Sequence, residues 1–156
     1  MMHMTQHYNH EKYWKMHNEV INSNSKKNIL VRYFYLFRVK RSDAFNNASF
    51  GTDIDKGAYF KTPPILPHHL NGIIVSPYAK IGKNVTIFQQ VTIGQAKDNK
   101  AAVIGDNVMI GAGVKIIGNI KIGNNVKIGA GCIVCEDVPD NATVVMNKPR
   151  IIIRKC

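Results

Sequence analysis

An aliphatic residue returns every six positions through residues 104–134, and this period strongly constrains the fold. The leading positions are Ile104, Ile110, Ile116, Ile122, Ile128 and Val134. A second set of residues follows each of the first five leaders by four positions: Val108, Val114, Ile120, Val126 and Cys132. A six-residue period fits neither an amphipathic helix nor a plain hairpin sheet, whose periods are about 3.6 and 2 residues. It is typical of a parallel β-helix, in which short strands and turns stack.

Glycine follows most of the leaders, where a Cβ atom would crowd the backbone. These glycines are Gly105, Gly111, Gly123 and Gly129. One such unit buries almost nothing by itself, so the stacking of neighbouring units must supply the core. The sequence therefore predicts a mainly β fold, with hexapeptide repeats over residues 51–156 and a short N-terminal helical segment and linker over residues 1–50.

The N-terminal segment has the patterning of two helices, over residues 8–21 and 28–40. In the second, an aromatic stripe follows the spacing i, i+3, i+4, i+7: Leu30, Tyr33, Phe34 and Phe37. We expect this stripe to pack against the base of the coil stack. The alternative is a partner-docking or peripheral membrane contact, favoured by the basic residues Arg32, Arg38, Lys40 and Arg41.

The composition limits the classes of partner. The chain has 21 Lys and Arg against 10 Asp and Glu, a net charge of +11, which favours an anionic partner such as a phosphorylated cofactor. No helix-turn-helix or aromatic-basic platform indicates a nucleic acid. No secretory signal or membrane-spanning run of about 20 apolar residues is visible, so we expect a cytoplasmic protein. Its cysteines, Cys132, Cys135 and Cys156, are predicted to be reduced structural thiols, with no metal.

The six-residue period fails in two places. Ile54, Phe60 and Leu66 keep the spacing, but the chain must then cross residues 67–72 (PHHLNG) before Val75. A second interruption, the loop 95–102 (QAKDNKAA), separates Ile93 from Ile104. Insertions in a solenoid lie on one face, which is often the binding face. We therefore expect function at these two interruptions.

Four segments carry a resemblance to a known family: PHHLNGIIV (67–75), AKIGKNVTIFQQVTIG (79–94), VIGDNVMIGAGVKIIGNIKIG (103–123) and EDVPDNATVV (136–145). They resemble the left-handed β-helix acyltransferases, and especially the serine acetyltransferase-like O-acetyltransferases encoded with bacterial surface-polysaccharide genes. The resemblance implies a left-handed β-helix and an acetyl-CoA-dependent enzyme without a metal. It also implies a homotrimer with active sites between adjacent subunits.

The family's catalytic histidine falls on His68 or His69. Counting forward from Leu66 gives His68, and counting backward from Gly72, as in the serine enzymes, gives His69. The sugar-type motif Pro-His-Gly-Leu-Asn-Gly again gives His68, which the resemblance favours. The family pairs its histidine with an aspartate fifteen residues upstream, which is Asp53 for His68. A histidine with a pKa of about 6.5 can take the proton of a hydroxyl as the oxygen attacks a thioester.

Coenzyme A lies along the outside of the coils in this family. By family position, the small residues that permit close approach of its pantetheine arm are Gly94, Ala112 and Ala130. The candidates for binding its phosphates are Lys127, Lys148 and Arg150.

The acceptor is predicted from two departures from the serine enzymes. Their longer loop carries an Arg-His pair that contacts serine, and residues 95–102 have neither residue type. Their C-terminal tail often ends in Ile, whereas this chain ends in Cys156. We therefore expect acetyl transfer to a sugar hydroxyl in surface-polysaccharide synthesis. The alternatives are a serine O-acetyltransferase of cysteine biosynthesis and a non-catalytic hexapeptide scaffold. A carbonic-anhydrase-like scaffold needs three zinc-binding histidines, and no histidine follows His69.

Overall fold

The computed structural model describes residues 8–147 and 151–152. In this part of the chain, two helices precede twelve short strands. The helices are α1 (His10–Ile21) and α2 (Ile29–Phe45). The strands are β1 (Tyr59–Phe60), β2 (Ile74–Val75), β3 (Lys80–Ile81), β4 (Thr86–Ile87), β5 (Thr92–Gly94), β6 (Val103–Ile104), β7 (Met109–Ile110), β8 (Lys115–Ile117), β9 (Lys121–Ile122), β10 (Lys127–Ile128), β11 (Ile133–Val134) and β12 (Thr143–Val144).

The strands form three parallel sheets that make the three faces of a coil stack. Face 1 has the order β1-β3-β6-β9, face 2 has β4-β7-β10-β12, and face 3 has β2-β5-β8-β11. Ile104 pairs with Ile122, eighteen residues further along the chain, so one regular coil is three hexapeptides. The predicted parallel β-helix is confirmed.

The repeat leaders form the core because each short strand points its leader inward and the residue before it outward. Ile87, Ile93, Ile110 and Ile116 are fully buried, whereas their outward neighbours are half-buried or exposed. The second set of repeat residues is buried at the corners between faces, and Cys132 is one of them. Glycine is required where coils approach closely: a Cβ on Gly105 would lie 2.7 Å from the Gly123 carbonyl oxygen.

A column of asparagines joins successive coils at the corner between faces 1 and 2. These are Asn84, Asn107, Asn125 and Asn141, all with positive φ. Each of the first three donates a side-chain hydrogen bond to the next, over 3.2, 3.2 and 2.9 Å. Asparagine tolerates the left-handed conformation better than most residues, so the column fixes the turns while its amides satisfy one another.

Both predicted helices are present, and an asparagine caps each. Asn9 accepts a hydrogen bond from the Lys12 N–H, and Asn28 accepts one from the Leu30 N–H. Helix α1 packs onto the first coil through Trp14, whose ring lies 4.7 Å from that of Phe60 between centroids.

The predicted packing of the aromatic stripe on α2 is wrong. Its four members are exposed, and the helix instead buries Arg32, Val39, Ser42 and Asp43. Arg32 explains this orientation because its guanidinium bonds to the Val20 carbonyl at 2.6 Å and to Asp55 at 2.8 Å. Ile54 also differs from expectation: it lies half-buried in the turn between Asp53 and Lys56 instead of leading a strand.

Two buried groups near the helices respond to acid with opposite sign. Burial lowers the pKa of His17 from 6.5 to about 4, so on acidification the unfolded chain takes up a proton that the folded chain refuses. Burial raises the pKa of Asp43 from 3.8 to about 6, although the Tyr13 hydroxyl donates to it at 2.6 Å. Falling pH therefore destabilises the fold through His17 and stabilises it through Asp43.

Asp43→Asn should remove the stabilising half of this pair. As pH falls from 6.5 to 4, we expect the free energy of unfolding of the variant to fall by about 2 kcal/mol relative to wild type. Denaturant titrations at several pH values within this window measure the difference. Parallel pH curves for the two proteins would contradict the raised pKa of Asp43 in the folded protein.

Candidate active site

The first interruption of the repeat forms a turn at the corner between faces 2 and 3. His69 and Gly72 have φ values of 55° and 65°, so both occupy the left-handed region. Fully buried Leu70 and Ile73 anchor the turn to the core. The Gly72 N–H donates to the Asn46 carbonyl at 2.9 Å, which ties the turn to the end of α2.

The two histidines in this turn have different surroundings. The His68 side chain is exposed, and its ring centroid lies 6.0 Å from that of Phe88 in the next coil. His69 is half-buried against the N-terminal segment, with its ring edge-on to Tyr8 at 5.6 Å between centroids. Burial lowers the pKa of His10, and the charge of nearby His69 lowers it further. His68 is thus open to a ligand, whereas His69 contributes to packing.

The same corner of each coil forms a column, which we call the histidine edge: His68, Gln89, Ala112 and Ala130. The Gly131 N–H donates to the Ala112 carbonyl at 2.8 Å, and the Gly113 N–H donates to the Gln89 carbonyl at 3.0 Å. Small side chains at Ala112 and Ala130 leave this edge open above His68. Its shape suits a long, thin ligand lying along the stack.

The other predicted cofactor residues lie around this edge or beyond it. Lys127 is exposed on β10, in face 2 beside the histidine edge. Gly94 lies on β5, where a Cβ would come within 2.9 Å of the Ile117 Cδ1 atom, which is the end of an exposed side chain that can move aside. Lys148 and Arg150 lie outside the described residues.

Asp53 lies on a different corner, between faces 3 and 1, which we call the loop edge: residues 51–57, 76–79 and 95–102. Its carboxylate accepts a hydrogen bond from the Ile54 N–H at 2.8 Å. Within the described part of the chain, no hydrogen bond joins Asp53 to either histidine. Within a single copy, face 3 of the coil stack separates Asp53 from His68.

The second interruption is a short hairpin on the loop edge. Gln95 bridges Ala101, and the Ala96 N–H donates to the Lys100 carbonyl at 2.7 Å. Lys100 pairs with Asp98 at 3.0 Å, and hydrogen bonding from this lysine lowers the pKa of the Asp98 carboxyl. The loop also presents the exposed cation Lys97.

Gln89 is a candidate that the sequence analysis missed. Its Oε1 atom is buried without a hydrogen-bond partner in the described residues. A buried acceptor without a partner is costly, and Gln89 lies on the histidine edge, in register with Ala112. In the sequence, Gln89 stands in an ordinary turn between two repeat leaders, and only the orphaned atom distinguishes it.

The repeat matches a family model of transferases, and the similar proteins are serine acetyltransferases. Residues 101–136 match the family model of the bacterial transferase hexapeptide (six repeats). Over 107 residues, the chain is 36% identical to the serine acetyltransferase of Bacillus subtilis and 41% identical to the mitochondrial serine acetyltransferase 3 of Arabidopsis thaliana. These alignments cover 67% of this chain but 49% and 27% of the two relatives.

The similar solved structures are also serine acetyltransferases. Serine acetyltransferase of Neisseria gonorrhoeae in complex with serine is 32% identical with a TM-score of 0.66, covering 89% of this chain and 54% of that one. Serine acetyltransferase of Brucella abortus in complex with coenzyme A is 28% identical with a TM-score of 0.69, covering 91% and 53%. The fold is therefore the left-handed parallel β-helix that was predicted, and residues 101–136 carry the repeat of the bacterial hexapeptide transferases. It spans about half the length of these solved relatives.

The predicted sugar acceptor is wrong, because these relatives and solved structures are serine acetyltransferases. The likeness to the polysaccharide subgroup is likewise not supported. The prediction relied mainly on the missing Arg-His pair in the loop. Lysine as well as arginine can donate charge-assisted hydrogen bonds to a carboxylate, and the loop supplies Lys97 and Lys100.

Proposed function

We propose that this protein is an acetyl-CoA-dependent serine O-acetyltransferase, acting in cysteine biosynthesis. The observation that carries the proposal is the likeness to serine acetyltransferases, which extends to solved structures in complex with serine and with coenzyme A. The acceptor hydroxyl and the thioester would meet beside His68. A cytoplasmic location remains part of the proposal.

His68 acts as the general base in this proposal. The serine hydroxyl oxygen attacks the thioester carbonyl carbon while the His68 imidazole takes the hydroxyl proton. The tetrahedral intermediate collapses, the carbon–sulfur bond breaks, and the thiolate of coenzyme A receives the proton from the imidazolium. The exposure of His68 supports this role, since a base must reach its substrate.

Coenzyme A would lie along the histidine edge, with its thiol end beside His68. Ala112 and Ala130 leave room for the pantetheine arm, and Lys127 beside them can bind a phosphate. Acetyl-CoA supplies the acyl group, and the chain contributes the surface that positions it. A glutamine at position 89 has an unused acceptor beside the same edge.

Serine would be bound through its carboxylate by Lys97, with Lys100 beside it. These lysines lie on the loop edge, so they reach a neighbour's His68 only if two copies pack edge to edge. We therefore include in the proposal a homotrimer in which the loop edge of one copy faces the histidine edge of the next. Asp53, on the loop edge, would then orient His68 of the adjacent copy.

An acceptor screen tests the proposed function. The full chain is incubated with acetyl-CoA and either serine or a set of nucleotide-sugars and lipid-linked sugars, and free coenzyme A thiol is measured. We expect thiol release that depends on serine, with acetylserine identified by mass spectrometry. Release that depends on a sugar and not on serine would overturn the proposal.

A further inference from the structure

We propose that the outward face of α2 binds an anionic membrane surface, with its aromatic stripe inserted among the lipids. The inference is independent of the proposed function, because no residue to which we give a role in acetyl transfer lies on this face of α2. The stripe consists of Leu30, Tyr33, Phe34 and Phe37, which are 73%, 55%, 57% and 62% exposed. Apolar side chains this exposed and this close together mark an interaction surface.

The orientation of α2 is fixed by the polar contacts on its opposite face. Arg32 is 6% exposed and bonds to two backbone carbonyls and to Asp55. Asp43, further along the same face, accepts from the Tyr13 hydroxyl. Rotating the helix to bury the stripe would break these bonds and leave buried charges unpaired, which is strongly unfavourable. The stripe is therefore held outward.

The charges around the stripe select its partner. At about 100° per residue, Lys40 and Arg38 lie on opposite edges of the stripe, and Arg41 continues it toward the C-terminal end. The acidic residue within α2, Asp43, is buried on the opposite face. The exposed ionic groups of this helix are therefore all cationic. A second copy of the chain would bring like charges together, whereas an anionic surface complements them.

An amphipathic surface with Lys and Arg flanking aromatic and leucine side chains is typical of helices that lie in the membrane interface. The long basic side chains can extend toward the headgroups while the stripe enters the acyl region. Neither described helix has the length and apolar character needed to span a bilayer. The geometry is that of a helix lying on the surface, carried on the outside of the coil stack.

Vesicle flotation of the full chain tests the proposal. We compare vesicles of phosphatidylcholine with vesicles containing phosphatidylglycerol, and expect binding at least about tenfold tighter to the anionic vesicles, weakening as salt rises. Phe34→Ser/Phe37→Ser and Arg38→Glu/Lys40→Glu should each weaken this binding by about tenfold or more. Phe34→Leu/Phe37→Leu should retain it, because leucine is also apolar.

The matched control is Lys80→Glu/Lys121→Glu, which changes the net charge equally on face 1. It should bind vesicles nearly as well as wild type. Equal loss in this control and in Arg38→Glu/Lys40→Glu would overturn the proposal in favour of a general charge effect. The proposal would also be overturned if Phe34→Ser/Phe37→Ser bound vesicles normally but had a changed mass by light scattering. The stripe would then be a contact between copies of the chain.

Discussion

His68→Ala is expected to lower kcat for serine acetylation by about 10²- to 10⁴-fold, which is the range that general-base catalysis contributes. The His68 side chain is exposed, so its removal should change the free energy of unfolding by no more than about 0.5 kcal/mol. The KM for acetyl-CoA should change little, because in the proposed binding mode the pantetheine arm lies on backbone and alanine surface and does not depend on His68. Steady-state kinetics and a thermal melt on the same preparation measure these quantities.

His69→Gly is the matched control in the neighbouring position. Its backbone is left-handed, with φ of 55°, and glycine adopts that conformation at the least cost. The substitution removes the contact with Tyr8 but leaves the turn intact, so the variant should retain most of its activity. A large loss in His69→Gly with an active His68→Ala would reverse the roles of the two histidines.

Mixing two impaired variants should restore activity if the site lies between copies, provided that activity is measured at a serine concentration well below the KM of the loop variant. One variant is His68→Ala, and the other is Lys97→Glu/Lys100→Glu, which repels the serine carboxylate. By itself, the loop variant should raise the KM for serine by at least about tenfold through the loss of charge-assisted hydrogen bonds. In co-expressed trimers of random composition, we expect about a quarter of the sites to combine an intact histidine with an intact loop.

The control for this experiment is co-expression of His68→Ala with a second, differently tagged His68→Ala chain. That mixture contains no intact histidine and should stay inactive. Restored activity only in the first mixture supports a shared site. If the mixture is no more active than its two components at the same low serine concentration, although hybrids are demonstrated by the tags, the site lies within one copy and the proposed edge-to-edge assembly is wrong.

The coil stack could be predicted from the sequence because one physical requirement repeats. Each leader from Val75 to Val134 must be aliphatic to fill the same interior, so the period reports the burial directly. Ile54 has the right spacing and still lies in a turn. A single residue of correct type carries little information without neighbours in phase above and below it.

Helix α2 shows why periodicity can mislead about orientation. Its aromatic stripe has helical spacing and predicts a buried face. The contacts of Arg32, however, determine which face of the helix is buried. A guanidinium that finds Asp55 and two backbone carbonyls can be buried. Those partners lie ten or more residues away in sequence, so no local pattern reveals them. The aromatic residues are then left on the outside.

The two interruptions of the period predict where the candidate site lies, and that location stays a prediction. Motif counting by itself leaves both His68 and His69 as the base. Their difference depends on the backbone at His69 and on the packing of Tyr8, which spacing does not contain. The predicted sugar acceptor is wrong because it depends on the absence of arginine and histidine from residues 95–102. The lysines of the same loop also offer positive charge to a carboxylate.

The most direct test of the account is an experimental structure of the oligomer with coenzyme A and serine bound. We predict the pantetheine arm along Ala112 and Ala130, the serine hydroxyl within hydrogen-bond reach of His68, about 2.6–3.2 Å, and the serine carboxylate on Lys97 of the adjacent copy. Coenzyme A bound along another edge, or serine bound away from His68, would contradict it.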